Sequence, residues 1–302
     1  MQSSKIQFGN MVLGVDIGKT KIAVGVVDVV AKSVAFFLQK NPHAATKDAI
    51  LETLAFLIDA ALKKHQTTDI GVGTFGVVNH TKGVVVSSGH IADWYNLNLA
   101  SFLRNRFGFT NIVIDNDVVA AAAGEYWLNY EGKNITVISV GTSIGVGSIF
   151  DGKVFRGLHN LSGQIAHLKN YNSELTISQL CGGNGISDRL YNESGVRVTT
   201  KEVIEMAQDN DSVTKVIVND AAKTIAQVIM FTQNMIAPEV IVCSGSVLNY
   251  NDYFYNLVLS YLEDYPKCYR QSDVEPLNII KSNLNQYIGI LGCVALCKKI
   301  VK

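Results

Sequence analysis

Proline is scarce, with four in 302 residues, and no low-complexity stretch stands in for it. No composition-marked linker therefore divides the chain, and domain boundaries have to be read from pattern. Neither sign of charge is in excess, since 26 Lys plus Arg balance 26 Asp plus Glu. That leaves no electrostatic footprint for nucleic acid or an acidic membrane surface. The five cysteines (Cys181, Cys243, Cys268, Cys293, Cys297) are odd in number and scattered, with no C-x-x-C pair. This argues against a disulfide frame or a Cys-rich zinc site and for a reducing compartment. No apolar run reaches the ~20 residues that a membrane-spanning helix needs. The longest near the C-terminus, Tyr287 to Cys297, reads as a buried helix. The start, MQSSKIQFGN, has no apolar core of a secretory signal, so a cytoplasmic protein is expected.

What is present is apolar material in two periods. At 48% hydrophobic and 17% charged, the chain can bury a substantial core, which argues against disorder. Met11 to Asp28 reads as two strands, MVLGVDI and IAVGVVD, joined by a turn at Gly18-Lys19-Thr20-Lys21. From Lys47 to Lys64 apolar residues recur at helical spacing, from Ile50 and Leu51 to Ala61 and Leu62. Apolar runs follow at Ile70–Val78 and Ile112–Ile114, then an Ala-rich helix from Val118 to Trp127. Strands alternating with helices predict an α/β protein.

A second strand–turn–strand, TVISVGTSIGVGSIFDG, overlays the first at an offset of 123 residues. Gly18 falls on Gly141, Thr20 on Ser143 and Asp28 on Asp151. Two related halves are implied, each opening with a hairpin whose turn is small and polar. Backbone N–H groups in such turns suit anions, so two turns facing each other across a cleft would grip a phosphate chain.

Other glycine patterns fit less well. Gly18-Lys19-Thr20 ends like a P-loop, but Leu13 stands where that motif needs its first Gly, and a strand follows instead of a helix. Gly71-x-Gly73-x-x-Gly76 satisfies a dinucleotide fingerprint only literally, because a turn and not a helix follows it.

Carboxylates mark the remaining candidates. Asp16 sits late in an apolar strand, where it either caps its own turn or is placed for the Mg²⁺ that accompanies a nucleotide. Ile112-Val113-Ile114 runs into Asp115-Asn116-Asp117 and then a helix. A helix cap explains one of those polar residues; a ligand site beyond a strand's carboxyl end explains all three. In that site Asp117 can take a proton from a hydroxyl. The segment HNLSGQIAH holds two of the six histidines, and its composition favours structural roles for them.

These segments together resemble the ROK family of bacterial sugar kinases and sugar-responsive repressors. LGVDIGKTKIAVGVVD is similar to its first phosphate hairpin and SVGTSIGVGSIFDGKVFRG to its second. IDNDVVAAAAGE resembles the catalytic strand–helix, LSGQIAHLK a sugar-contacting segment, and VIVCSGSVL the adenosine-side turn. The resemblance implies a two-domain actin-like (ribonuclease H-like) ATPase fold with an interdomain cleft, and transfer of phosphate from MgATP to a hexose-type sugar, usually at O6. Glucose-like substrates come first, then N-acetylmannosamine-like ones. By the same resemblance Asp117 is the general base. Asp16 (with Mg²⁺), Gly18, Lys19, Thr20, Lys21, Gly141, Thr142, Gly145 and Gly245 bind ATP. Gly76, Asn79, Asn116, Gln164, His167 and Ser178 join Asp117 around the sugar. A homodimer is implied too.

Departures from the pattern bear on the sugar more than on the reaction. Lys19 replaces a second Gly, Gln164 replaces a Glu, and Ser178 stands where another Glu is usual. The Cys-rich zinc segment is missing, so no zinc is expected. Only ten residues precede Met11, so no DNA-binding domain is expected either. The expected domains are 1–117 plus 286–302, and 118–285. A sugar-binding regulatory protein with weakened catalysis is the competing expectation.

Overall fold

The computed structural model describes residues 10–18, 20–88, 91, 93–170, 173–263 and 277–301. Lys19 and Cys268 lie outside the described residues. The chain forms two compact units. Unit 1 draws on Met1–Lys133, Gly147–Ser162 and Gln286–Lys302; unit 2 draws on Asn134–Val146 and Gly163–Asn285.

Unit 1 begins with the predicted hairpin, β1 (Met11–Ile17) and β2 (Ile22–Asp28), followed by β3 (Ser33–Lys40). Helix α1 (Lys47–Leu62) starts where the Thr46 hydroxyl accepts the Ala49 N–H, and it buries Ile50, Leu54, Leu57 and Ile58 on one face. Then come β4 (Asp69–Thr74), β5 (Val77–Asn79), β6 (Val84–Ser87), β7 (Leu97–Asn98), α2 (Leu99–Phe107), β8 (Asn111–Asn116) and α3 (Asp117–Asn129). The main sheet runs β3-β2-β1-β4-β8, with β1, β4 and β8 parallel. Register aligns Ile17 with Thr74 and Thr74 with Asn116. The carboxyl ends of all three strands therefore reach one edge, where open α/β sheets gather ligands. Strands β5, β6 and β7 form a small antiparallel sheet.

The chain crosses into unit 2 with β9 (Ile135–Val140) and leaves it midway along β10 (Ile144–Phe150), to return after β11 (Lys153–Val154). Helices α4 (Ile177–Cys181), α5 (Gly183–Ser194), α6 (Thr200–Gln208) and α7 (Ser212–Ile236) follow. Then come β12 (Val240–Ser244), α8 (Ser246–Asn249), α9 (Asp252–Glu263), β13 (Ile279–Lys281) and, back in unit 1, α10 (Ile288–Cys297). The core of unit 2 packs Ile138 and Val140 of β9 against Ile217, Ala221 and Ile225 of α7. No helix among the described residues is long and apolar enough to cross a membrane.

Strand order in the second sheet is β11-β10-β9-β12-β13, with β12 parallel to β9 and to β13. Reading each sheet by its own first to fifth strand gives one order, 3-2-1-4-5, in both. The repeat expected from a 123-residue offset is thus a repeat of topology. Its turns differ by a residue: 18–21 joins β1 to β2, whereas 141–143 joins β9 to β10.

The domain boundary expected at 117/118 falls instead after Lys133. The reason is packing. Helix α3 lies against α10, and its small residues Ala120 to Gly124 let the backbones touch. A methyl group on Gly292 would stand 1.6 Å from the Ala120 carbonyl oxygen, and one on Gly124 2.6 Å from that of Ile288. Changing Gly292 to Ala must push the helices apart. We expect a loss of about 1–3 kcal/mol, typical of overpacking. That is several degrees of Tm at roughly 2–4 °C per kcal/mol. A variant melting within one degree of wild type would show that the crossing is looser than described.

Candidate functional site

Three polar residues end β8, and the fold gives each a different task. Asp115 is 1% exposed. Its Oδ2 accepts two hydrogen bonds from Arg156, from Nε (3.0 Å) and Nη2 (2.7 Å), and its Oδ1 accepts the Asn116 N–H (2.9 Å). Asn116 caps α3, its Oδ1 accepting the N–H groups of Val118 (2.9 Å) and Val119 (3.4 Å), while its Nδ2 donates to the Gly76 carbonyl (3.1 Å). The capping role set against a ligand role is therefore real for Asn116, and it consumes the amide oxygen. One amide proton has no acceptor among the described residues. Asp117 opens α3, and its Oδ1 accepts the Val118 N–H at 3.0 Å.

Asp16 lies one strand over from Gly73, in the row that also contains Asp115. Although part of its surface stays accessible, dense packing surrounds the carboxyl group. That burial pushes its pKa up to about 7, the neighbouring negative charge of Asp117 adds to the rise, and Lys21 opposes it. Asp16 backs onto the first turn of α10, where a methyl on Gly289 would stand 2.5 Å from its Oδ2. The hairpin turn below is closed by the Gly18 N–H donating to the Lys21 carbonyl at 2.9 Å. Unit 1 thus brings Asp16, Gly18, Lys21 and Asp117 into one neighbourhood; Thr20 is exposed on the same turn.

The other sugar candidates of unit 1 sit on the small sheet. Gly76 links β4 to β5 with φ at +96°, and its carbonyl holds Asn116. Asn79 spends its Oδ1 on its own turn, accepting from the Thr81 hydroxyl (2.8 Å) and the Lys82 N–H (3.1 Å). Asn79 thus holds its own turn through its amide oxygen.

In unit 2 the second hairpin turn packs on α5. The carbonyls of Gly141 and Thr142 accept the N–H groups of Gly183 (2.8 Å) and Asn184 (3.2 Å). Because a trans peptide points its C=O and N–H in opposite directions, the N–H groups of Thr142 and Ser143 face away from α5. Two adjacent N–H groups aimed one way suit an anion. Gly245, with φ at +95°, follows β12 so closely that a methyl there would meet the Val140 carbonyl at 2.3 Å. Gly141, Thr142 and the residue after Gly245, Ser246, line one cavity of about 590 Å³, with Gly183, Asn184, Thr200, Lys201 and Tyr250. Its size is ordinary for a small-molecule site. Gly145 lies partly exposed on β10.

The three remaining sugar candidates share one region of unit 2. The N–H groups of Ile177 and Ser178 donate to the carbonyls of Leu168 (2.8 Å) and Ala166 (3.0 Å), beside exposed His167 and partly buried Gln164. The Ser178 hydroxyl lies 2.7 Å from that of Ser143. Ser178 is thus tied to the second hairpin turn, a partner not foreseen for it.

Residues not foreseen are Arg156, Gly289 and the Gly183–Asn184 and Thr200–Tyr250 parts of the cavity. Gly182-Gly183 was a visible signal, since a glycine pair before a helix invites close backbone approach. Nothing local singles out Arg156, which meets Asp115 across 41 positions. Among the described residues, no three His, Cys, Asp or Glu side chains are grouped to hold a metal ion. The Asp16 and Asp117 carboxylates beside the Gly18 turn suit a hard divalent cation that takes its other ligands from phosphate oxygens and water.

The chain has counterparts among known proteins. A xylose repressor from Caldicellulosiruptor bescii is 25% identical over 317 residues, covering 94% of this chain and 77% of the repressor. A glucokinase from Streptomyces coelicolor is 32% identical over 179 residues, covering 58% of this chain and 54% of the glucokinase. The crystal structure of a ROK family glucokinase from Streptomyces griseus, in complex with glucose and AMPPNP, superposes with a TM-score of 0.81. It is 21% identical, covering 96% of this chain and 99% of that one. Such structural neighbours establish an actin-like ATPase fold for both units. The ROK family model matches residues 12–300, from the second residue of β1 to just beyond α10, and the chain therefore belongs to the ROK family.

Proposed function

We propose that this chain is a sugar kinase that transfers the γ-phosphate of ATP to a hexose-type sugar at O6, with a glucose-like or N-acetylmannosamine-like acceptor. The observation that carries the reading is the placement of Asp117 beside Asp16 at the carboxyl edge of β1, β4 and β8. Phosphoryl transfer asks for alignment and charge neutralisation more than for covalent help from the protein.

Asp117 accepts the proton of the acceptor hydroxyl as its oxygen forms the bond to the γ-phosphorus. The bond from that phosphorus to the β–γ bridging oxygen breaks, and ADP leaves with the electron pair. Asn116 offers its remaining amide proton to a neighbouring sugar hydroxyl. The Gly18 turn in unit 1 and, in unit 2, the N–H groups of Thr142 and Ser143 each suit phosphate oxygens, and the unit 2 cavity between Gly183 and Tyr250 suits a base and ribose. Asp16 would hold Mg²⁺, which would neutralise phosphate charge. Gln164, His167 and Ser178 are the sugar-binding residues we assign to unit 2.

A second reading has its own support, because the repressor relative aligns over 94% of the chain. In it the protein binds a sugar and turns over little. One assay separates them: ADP release with MgATP across hexoses, acetamido sugars and glycosides. We expect release that depends on one sugar class. Thermal stabilisation by a sugar without turnover would favour the regulatory reading, and sugar-independent ADP release would overturn both.

A further inference from the structure

The loop between β11 and the end of unit 1's middle segment has no role in the reaction as described, yet it is tied down at both ends. At its start, Arg156 forks onto Asp115 through two N–H groups, and its side chain is only 17% exposed. Four residues on, the Asn160 Nδ2 donates to the Val78 carbonyl at 2.6 Å, and its Oδ1 lies 3.1 Å from the His80 Nδ1. Between these anchors the backbone is unusual. Gly157, His159 and Asn160 take φ of 63°, 60° and 58°, and two of them carry side chains. Left-handed backbone at non-glycine residues persists only where the surroundings enforce it, and it concentrates at functional sites.

The anchors grip the two elements that present the acceptor half of the site. Arg156 holds Asp115, whose other oxygen holds the Asn116 N–H, immediately before Asp117. Asn160 holds β5 at Val78, between Gly76 and Asn79. The Asn116–Gly76 hydrogen bond closes the circuit from β8 back to β5.

Resting on the kinase reading, we propose that residues 156–160 form a positioning strap with two separable effects. Arg156 fixes the strand end that aims Asp117 at the reacting hydroxyl. Asn160 fixes the β5 edge against which the sugar rests. Neither touches the reacting atoms; both act through residues that do.

The alternative is that Arg156 only neutralises a buried carboxylate. Three variants separate the two: Arg156→Met, Asp115→Asn with Arg156→Met, and Asn160→Ala. The double variant removes the buried charge and keeps an amide oxygen for the Asn116 N–H, so it lacks only the guanidinium fork. Each is assayed well below its own Tm, with the sugar that the wild-type protein turns over best. We expect Arg156→Met and the double variant to lose about 10–100-fold in kcat, the scale of a small misplacement of a catalytic group. Their KM for ATP should be unchanged. The double variant should recover thermal stability without recovering kcat. For Asn160→Ala we expect the KM for sugar to rise about 5–20-fold with kcat nearly intact, the signature of lost ground-state positioning.

A double variant that regains wild-type kcat would reduce Arg156 to a charge partner and overturn the proposal. So would equal effects of the two anchors on kcat and KM. If the wild-type protein turns over no sugar at all, the kinase reading falls first and the strap with it.

Discussion

Changing Asp117 to Asn is expected to lower kcat by about 10²–10⁴-fold, the contribution of a well-placed general base. The KM for the sugar should stay within about threefold, because the amide keeps the shape of the side chain and loses only proton affinity. Two opposing effects on the fold accompany the change. The first turn of α3 loses a negative charge that favours its N-terminus, at a cost of about 0.3–1 kcal/mol. Against that, Asp16 loses the neighbouring charge that helps raise its pKa, so its ionisation becomes easier although burial remains. The variant should therefore melt close to wild type, which makes the kinetic result readable. Steady-state kinetics across sugar concentration checks it. A kcat within a few-fold of wild type would remove Asp117 from the role of base.

Asp16 yields the second large effect, in stability and in activity with opposite signs. Its pKa rises from 3.8 to about 7 in the folded protein, mainly through burial. The folded state thus holds this proton more tightly than the unfolded chain does. The stabilisation linked to it is complete below pH 3.8 and is lost as pH rises through about 7. A shift of roughly three pKa units corresponds to an upper limit on the order of 4 kcal/mol. Because part of Asp16 remains open to water, the real figure lies below that. Changing Asp16 to Asn removes the dependence. In metal-free buffer the variant should be more stable than wild type at pH 8, by about 1–3 kcal/mol, with the gap narrowing towards pH 5. Its turnover should fall by at least about tenfold, since the carboxylate we propose for Mg²⁺ is gone. Melting curves at the two pH values with EDTA are the measurement. A gap independent of pH, or a variant less stable at pH 8, would mean that Asp16 is not strained by ionisation.

The two carboxylates show why site legibility was uneven. Asp16 stood out because one charge late in an apolar strand has few inexpensive explanations. Its neighbours Asp115, Asn116 and Asp117 form one polar group in the sequence, but the fold gives them different roles. Asp115 answers to Arg156, and Asn116 answers first to α3. Neither assignment is visible along the chain, since one depends on a loop 41 residues away. Ser178 teaches the same lesson, because its hydroxyl partner Ser143 belongs to another motif.

Local pattern alone determined the elements. Period-2 apolar residues around glycine turns specify the β1–β2 and β9–β10 hairpins, the helical spacing of Ile50, Leu54, Leu57 and Ile58 specifies α1, and the unbroken apolar run at the C-terminus specifies α10. The motif order was enough to indicate the family. Tertiary structure decided the rest: that α3 packs on α10 and so belongs to unit 1, and that a cavity opens beside Gly141 and Ser246. It also separated Asp117 from its two polar neighbours. Periodicity is a property of adjacent residues, whereas a backbone crossing or a buried ion pair exists only once distant segments have been brought within a few ångströms.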